Sequence, residues 1–246
     1  MDTVRDLTTF AKSRVDGLRV SKLCIQEEEE LGNEGIAMLC RGIGDFFVRK
    51  WELRELCLEL CGMGESSAKC LANVLHRCVH LRVLSISHNP DIGDQAAANI
   101  VTSLVRRKVS SAGQNMMNAL KLCCVSASRK TAKAVAEMLT KSEFSSIRDL
   151  DLRNNRIDCI GASAIASSLS SLKSSSRLRV RLDTNLIEDR GAASLLSALK
   201  FRPKILQITL SQNETSPMLR SSFAIASNRS SAFYGTAPPS FVLPGI

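Results

Sequence analysis

The stretch Asp149–Leu169, DLDLRNNRIDCIGASAIASSL, decides how the whole chain is read. Two carboxylates two residues apart, Asp149 and Asp151, stand beside Arg153, Asn154 and Asn155. Such a set could be the polar centre of a catalytic site or the turn of a repeated unit. The periodicity around it favours the turn. Leu150 and Leu152 alternate with the acids in period two, as along a strand, whereas Ile157, Gly161, Ile165 and Leu169 recur every four residues, as on one face of a helix.

The same pattern occurs elsewhere. LRELCLELCGMGESSAKCLANVL (53–75) and RLRVRLDTNLIEDRGAASLLSAL (177–199) share one frame with IRDLDLRNNRIDCIGASAIASSL (147–169). Seven units can be laid on this frame, with Ile25, Leu58, Ile86, Leu122, Leu152, Leu182 and Leu210 at its sixth position. Successive units are 28 to 36 residues long, which leaves room for a full helix after each strand. One unit cannot cover its own apolar stripe, so neighbouring units must stack. Strands sit about 4.8 Å apart and helices about 8 to 10 Å apart, so the stack bends with its strands on the concave side.

The frame resembles the leucine-rich repeat pattern L-x-x-L-x-L-x-x-N/C-x-L, and LGNEGIAML, IGDQAAANI and IEDRGAASLL resemble the segments that lead into the helices of its ribonuclease-inhibitor-like subclass. The resemblance covers about residues 18–227. It implies an α/β fold, a curved leucine-rich repeat solenoid or horseshoe of about seven strand-helix repeats, with the parallel sheet concave and the helices convex. Residues 1–17 are then expected to cap the first repeat, and 228–246, rich in breakers, to form a flexible tail. The segment SPMLRSSFAIASNRS should supply a helix over the last repeat.

Departures from the frame carry their own expectations. The Asn or Cys position reads Glu28, Cys61, Asn89, Val125, Asn155, Asn185 and Asn213. In this subclass the Asn satisfies backbone groups at the turn, so Glu28 and Val125 predict irregular turns in units one and four. Units one and three carry one extra residue before Leu31 and Ile92, expected to bulge without moving the strand register. The insertion VRRKVSSAGQN, with Arg106, Arg107 and Lys108, reads as a solvated helix end followed by a flexible connection.

Composition narrows the function. Nine cysteines, an odd number without a CxxC pair, fit buried thiols of a reducing compartment better than a disulfide framework. The first ten residues hold early acids and no apolar run, and nothing approaches a membrane span, so a cytoplasmic protein is expected. His76 and His80 are four apart but lack the acid of an HExxH motif, and a surface or capping role is expected for them. No P-loop, GxGxxG or GxSxG appears, and neither a cofactor nor catalysis is expected.

Charge is uneven. Residues 1–105 hold 12 Lys and Arg against 15 Asp and Glu, whereas 106–246 hold 21 against 9, a net of +12 that favours an anionic partner. The outward strand positions of units five and six, Arg148, Asp149, Asp151, Arg153, Arg179, Arg181 and Asp183, form the candidate partner-binding site. Stacking is expected to set Asp151 beside Arg181 and Arg153 beside Asp183. The resemblance implies a non-catalytic protein-interaction scaffold, for example a subunit of a cytoskeletal or axonemal assembly, with an acidic protein as partner. An RNA- or ribonucleoprotein-associated subunit is the alternative, set back by few aromatics, and activation of the GTPase Ran is a remote one.

Overall fold

The computed structural model describes residues 21–43, 53–107, 117–172, 177–202 and 206–232, with side chains through Ala226. The expected cap 1–17, residues 233–246 of the expected tail 228–246, and the Ser/Gly part of the insertion, 108–116, lie outside the described residues. Strands and helices alternate: β1 (Lys22–Gln26), α1 (Gly32–Gly42), β2 (Glu55–Glu59), α2 (Glu65–Leu75), β3 (Val83–Ser85), α3 (Gly93–Val105) and β4 (Ala119–Lys121) come first. Then follow α4 (Arg129–Thr140), β5 (Asp149–Asp151), α5 (Cys159–Ser171), β6 (Leu178–Arg181), α6 (Asp189–Phe201), β7 (Leu206–Thr209) and α7 (Pro217–Ala232). The strands form one parallel sheet in the order β1 to β7, and each helix packs against the next. This is the expected α/β solenoid.

Register follows the sequence frame without slippage. Leu23, Leu56, Leu84, Leu120, Leu150, Val180 and Ile208 align across the sheet, each turned toward the helices. Leu56, Leu84, Leu120, Leu150 and Val180 are fully buried, as are the sixth-position residues from Leu58 through Leu182. Leu210 is only partly buried, because the last strand has no further repeat beside it. Phe223 and Ala226 of α7 enter the core there, so this helix closes the stack. Its backbone runs to Ala232, past the boundary expected at residue 227.

Neighbouring helices approach one another closely where the stripe carries small residues. A Cβ on Gly161 would stand 2.9 Å from the Ala132 Cβ, and one on Gly191 would stand 2.8 Å from the Cys159 Cα. Neither position has room for a side chain, which is why glycine interrupts an otherwise aliphatic stripe.

An asparagine ladder links the turns. The Asn155 amide donates to the carbonyls of Leu122, Leu152 and Arg153, and its oxygen accepts from the backbone N–H groups of Val125 and Ala127. Asn89 does the same for the preceding repeat, through Leu58, Cys61 and Met63, and Asn185 and Asn213 repeat the pattern. Each Asn therefore serves the turn before its own, so the turns of Cys61 and Val125 are held by Asn89 and Asn155. Cys61 substitutes as a donor, its thiol reaching the Ile25 carbonyl at 3.4 Å.

Two residues beyond the sixth position the backbone turns left-handed in every repeat, at Glu27, Leu60, His88, Cys124, Asn154, Thr184 and Gln212. Of these, Asn154 and His88 are of types that favour this region. Unit four adds a second such residue, Ser126, which makes its turn irregular as Val125 predicts. The extra residues of units one and three sit in short 3-10 turns, Glu29–Leu31 and Pro90–Ile92, and leave the strand register intact.

Candidate functional site

The alternation of each strand gives the sheet a helix-facing side and an open side. Across the open side the fifth frame position reads Cys24, Cys57, Ser85, Lys121, Asp151, Arg181 and Thr209, which the register places side by side. All seven expected binding residues lie on this face or at the ends of its strands, in repeats five and six.

Their pairing differs from expectation in two respects. Asp151 does lie beside Arg181, but it is 3% exposed and is not available to a partner. Arg153 folds back over it from the same repeat, with Nε at 2.9 Å and Nη2 at 2.8 Å, while Arg181 approaches at 3.4 Å. The second Arg181 nitrogen binds both oxygens of Asp149 at 2.6 Å. Arg153 lies near enough to Asp183 for that carboxylate to act on its charge, while Asp183 itself accepts from the Thr209 hydroxyl and, at 2.8 Å, from the Ser211 N–H of the next repeat. Arg153, two residues beyond Asp151 in the turn that follows β5, reaches back to it within its own repeat.

Burial opposes ionisation of Asp151, but hydrogen bonds from the Arg153 side chain and backbone and the Arg181 charge outweigh it and hold the carboxyl below the ordinary range. The same hydrogen bonds, donated to Asp151, raise the pKa of the Arg153 guanidinium further. These groups form a paired cluster in which Arg181 Nε is the one nitrogen left buried without a hydrogen-bond partner. Asp149 and Asp151 are structural carboxylates, and among the described residues no His, Cys, Asp and Glu gather in a group able to hold a metal.

Elsewhere on the face Lys22 pairs with Glu55 at 3.1 Å, and Glu59 accepts from Gln26 and from the Ser85 hydroxyl. Arg179 donates to Gln207 at 3.1 Å. The cysteines lie mostly in or beside the core. Burial pushes the thiols of Cys40 and Cys57 up to about 12 and those of Cys61 and Cys78 to about 11, with Cys24 adding to the rise at Cys57. They remain protonated at neutral pH, unsuited to nucleophilic work.

Sequence reasoning picked out only Arg148 from a row of mostly basic residues. Arg54, Arg82, Asn118 and Arg148 stand immediately before β2, β3, β4 and β5, all exposed. Backbone bonds of 2.7, 2.7 and 2.8 Å join them in succession, and Arg179 continues the ladder from Arg148 at 2.9 Å. The second position of the frame carried this signal, since three of these four are arginine. Of the histidines, His76 is the residue that ends α2, while His88 occupies a left-handed turn position.

Residues 77–101 and 145–166, which cover the third and fifth strands, match the leucine-rich repeat family. Ribonuclease inhibitors of Sus scrofa and Mus musculus are 27% and 26% identical over 195 residues, 76% of this chain. The chain spans 38% of the length of these relatives. Among solved structures, the chain described as leiomodin-1 actin-binding site 2 superposes with a TM-score of 0.50 at 17% identity, covering 69% of this chain and 90% of that one. Stacked strand-helix repeats and the asparagine ladder thus define a leucine-rich repeat solenoid. The likeness to the two inhibitors refines this: the repeats are similar to those of the ribonuclease-inhibitor-like type. Proteins of this class generally act by binding other proteins. Among the described residues, no helix is long and apolar enough to cross a membrane.

Proposed function

We propose that the chain is a non-catalytic scaffold that binds a protein with an acidic surface through the open face of its sheet and the adjoining loops. The supporting observation is a face whose carboxylates are hydrogen-bonded into the fold while exposed arginines surround them. Asp149, Asp151, Arg153, Arg181 and Asp183 give the surface its shape, and Arg148 and Arg179 present charge outward. Arginine suits such a role because its planar fork matches a carboxylate.

The RNA-associated reading has less support. The described Phe residues, Phe144, Phe201 and Phe223, belong to the helical side, so the open face offers bases no aromatic platform among the described residues. Recovery of the protein with its partners from native cells, with and without nuclease, tests the choice. Retention of the partners after nuclease supports a protein scaffold. Their disappearance with RNA overturns it.

A further inference from the structure

Resting on that reading, we infer that anion recognition is concentrated on β3 to β5, on Arg82, Asn118 and Arg148 just before these strands and Lys121 at the end of β4, around Val83 and Ala119, and that its occupant is an extended acidic peptide segment. The expected site in repeats five and six has mostly matched its own charges. Asp149 is held by Arg181, and Asp151 by Arg153 and Arg181. Glu59 and Asp183 accept hydrogen bonds toward the far ends of their strands, and Glu55 is paired with Lys22.

The strand-start side is different. Among the described residues, Arg82, Lys121 and Arg148 make neither an ion pair nor a hydrogen bond with their side chains. Arg82 and Arg148 are exposed, and Lys121 is half-buried on the face between Ser85 and Asp151. Val83 and Ala119, in register on adjacent strands, form a small uncharged floor between them.

Dimensions select the occupant. Arg82 and Arg148 are separated by one intervening strand, hence about 10 Å. A polyproline-like chain advances about 9 Å in three residues and returns the third side chain to the same side. Acids three residues apart would therefore meet both arginines in succession, with apolar residues turned to Val83 and Ala119. Asn118, exposed between the arginines, adds an amide donor.

The test uses the full chain and a fluorescein-labelled peptide of four Glu-Pro-Leu triplets, with fluorescence anisotropy as readout. Its Gln-Pro-Leu counterpart and a twelve-residue oligouridylate serve as comparisons. The Glu peptide should bind, weaken as salt rises, and lose about tenfold or more in affinity for the Arg82→Glu, Arg148→Glu double variant. The milder Arg82→Gln, Arg148→Gln pair should lose less, and Arg190→Glu on the exposed side of α6 should bind as the parent does. Equal binding of the Gln peptide, or no effect of the double variants, overturns the inference. If Arg179→Glu alone abolishes binding while the Arg82 and Arg148 variants retain it, only the location fails. If the oligouridylate binds tightly and no acidic peptide does, the acidic-protein reading fails with it.

Discussion

Arg153 covers Asp151 with a two-point contact, Nε and Nη2 each donating to a carboxylate oxygen, and leaves that acid almost wholly buried on a face otherwise open to solvent. The pair lies within one turn, and Arg181 ties it to the next repeat. Replacing Asp151 by Ala strips Arg153 of its acceptor and leaves Arg181 with Asp149 alone. Both arginines retain some access to water, so the cost should be about 1 to 3 kcal/mol, below that of a deeply buried pair. Its pH dependence has a definite sign. A carboxyl held below its unfolded value contributes stability that is present above about pH 4 and lost as pH falls through the folded pKa. Urea unfolding from pH 7 to pH 3 should show a shallower acid decline for Asp151→Asn than for the parent; an identical decline would sink this assignment.

Asp94 holds the helix of the next repeat instead of its own. Its carboxylate accepts from the backbone of Ser128, Lys130 and Thr131 at the start of α4, and from the Thr131 hydroxyl. Burial works against its ionisation, but those donors outweigh it and lower the pKa. Asn33 and Asp189 make related contacts to α2 and to the residue before α7. Asp94→Ala should therefore cost about 1 to 2 kcal/mol, as loss of a helix cap does, with Asp94→Asn milder at neutral pH. Amide exchange should locate the loosening at residues 128–131; protection lost first in α3 would contradict a cap that acts across repeats.

Strand alternation, helix stripe and repeat length are legible in the sequence because burial imposes a period on the residues themselves. The spacing of Leu150, Leu152, Ile165 and Leu169 is enough to put all four in the core. Pairing of the charged residues is not legible to the same depth. Register alone predicts Asp151 beside Arg181 correctly, yet it cannot show that the long Arg153 side chain curls back within its own repeat and removes Asp151 from the surface. The cross-repeat caps are hidden for a related reason: Asn33 and Asp94 look like ordinary helix-start residues until neighbouring repeats are stacked. Arg82 and Arg148 are readable as a repeated frame position, but strand alternation says nothing of the residue just before each strand.

Gly191 tests whether stacking or helix propensity decides a helical glycine. Alanine would favour an isolated helix by about 1 kcal/mol. Here its Cβ would lie 2.8 Å from the backbone Cys159 Cα and 3.0 Å from Ile187 Cγ2. The backbone atom cannot rotate away, so α5 and α6 would have to separate, at a cost of about 1 to 3 kcal/mol. Gly191→Ala should thus lower the unfolding midpoint despite its better helix propensity. A higher midpoint would show that the two helices yield more readily than this packing implies.

Arg107 corrects the reading of the basic insertion as a solvated helix end, since its side chain is buried beyond α3. Nε donates to the Leu104 carbonyl at 3.0 Å, Nη1 donates to Leu81 at 2.9 Å and to Cys78 at 3.4 Å, and the guanidinium lies 5.7 Å from the Phe144 ring centre. Burial lowers its pKa to about 10, so it stays charged at neutral pH and joins repeats two, three and four. Its strength comes from carbonyl acceptors and the aromatic face, with no carboxylate among the described contacts. Arg107→Met preserves much of the apolar volume but strands those carbonyls, and should cost about 1 to 3 kcal/mol. Arg107→Lys should recover only part of this, because one ammonium cannot span the same acceptors and lie flat on Phe144. Denaturant titration of both variants decides the matter: full rescue by Lys would reduce the role of Arg107 to its charge, whereas stability of the Met variant equal to the parent would show that the carbonyls find other donors.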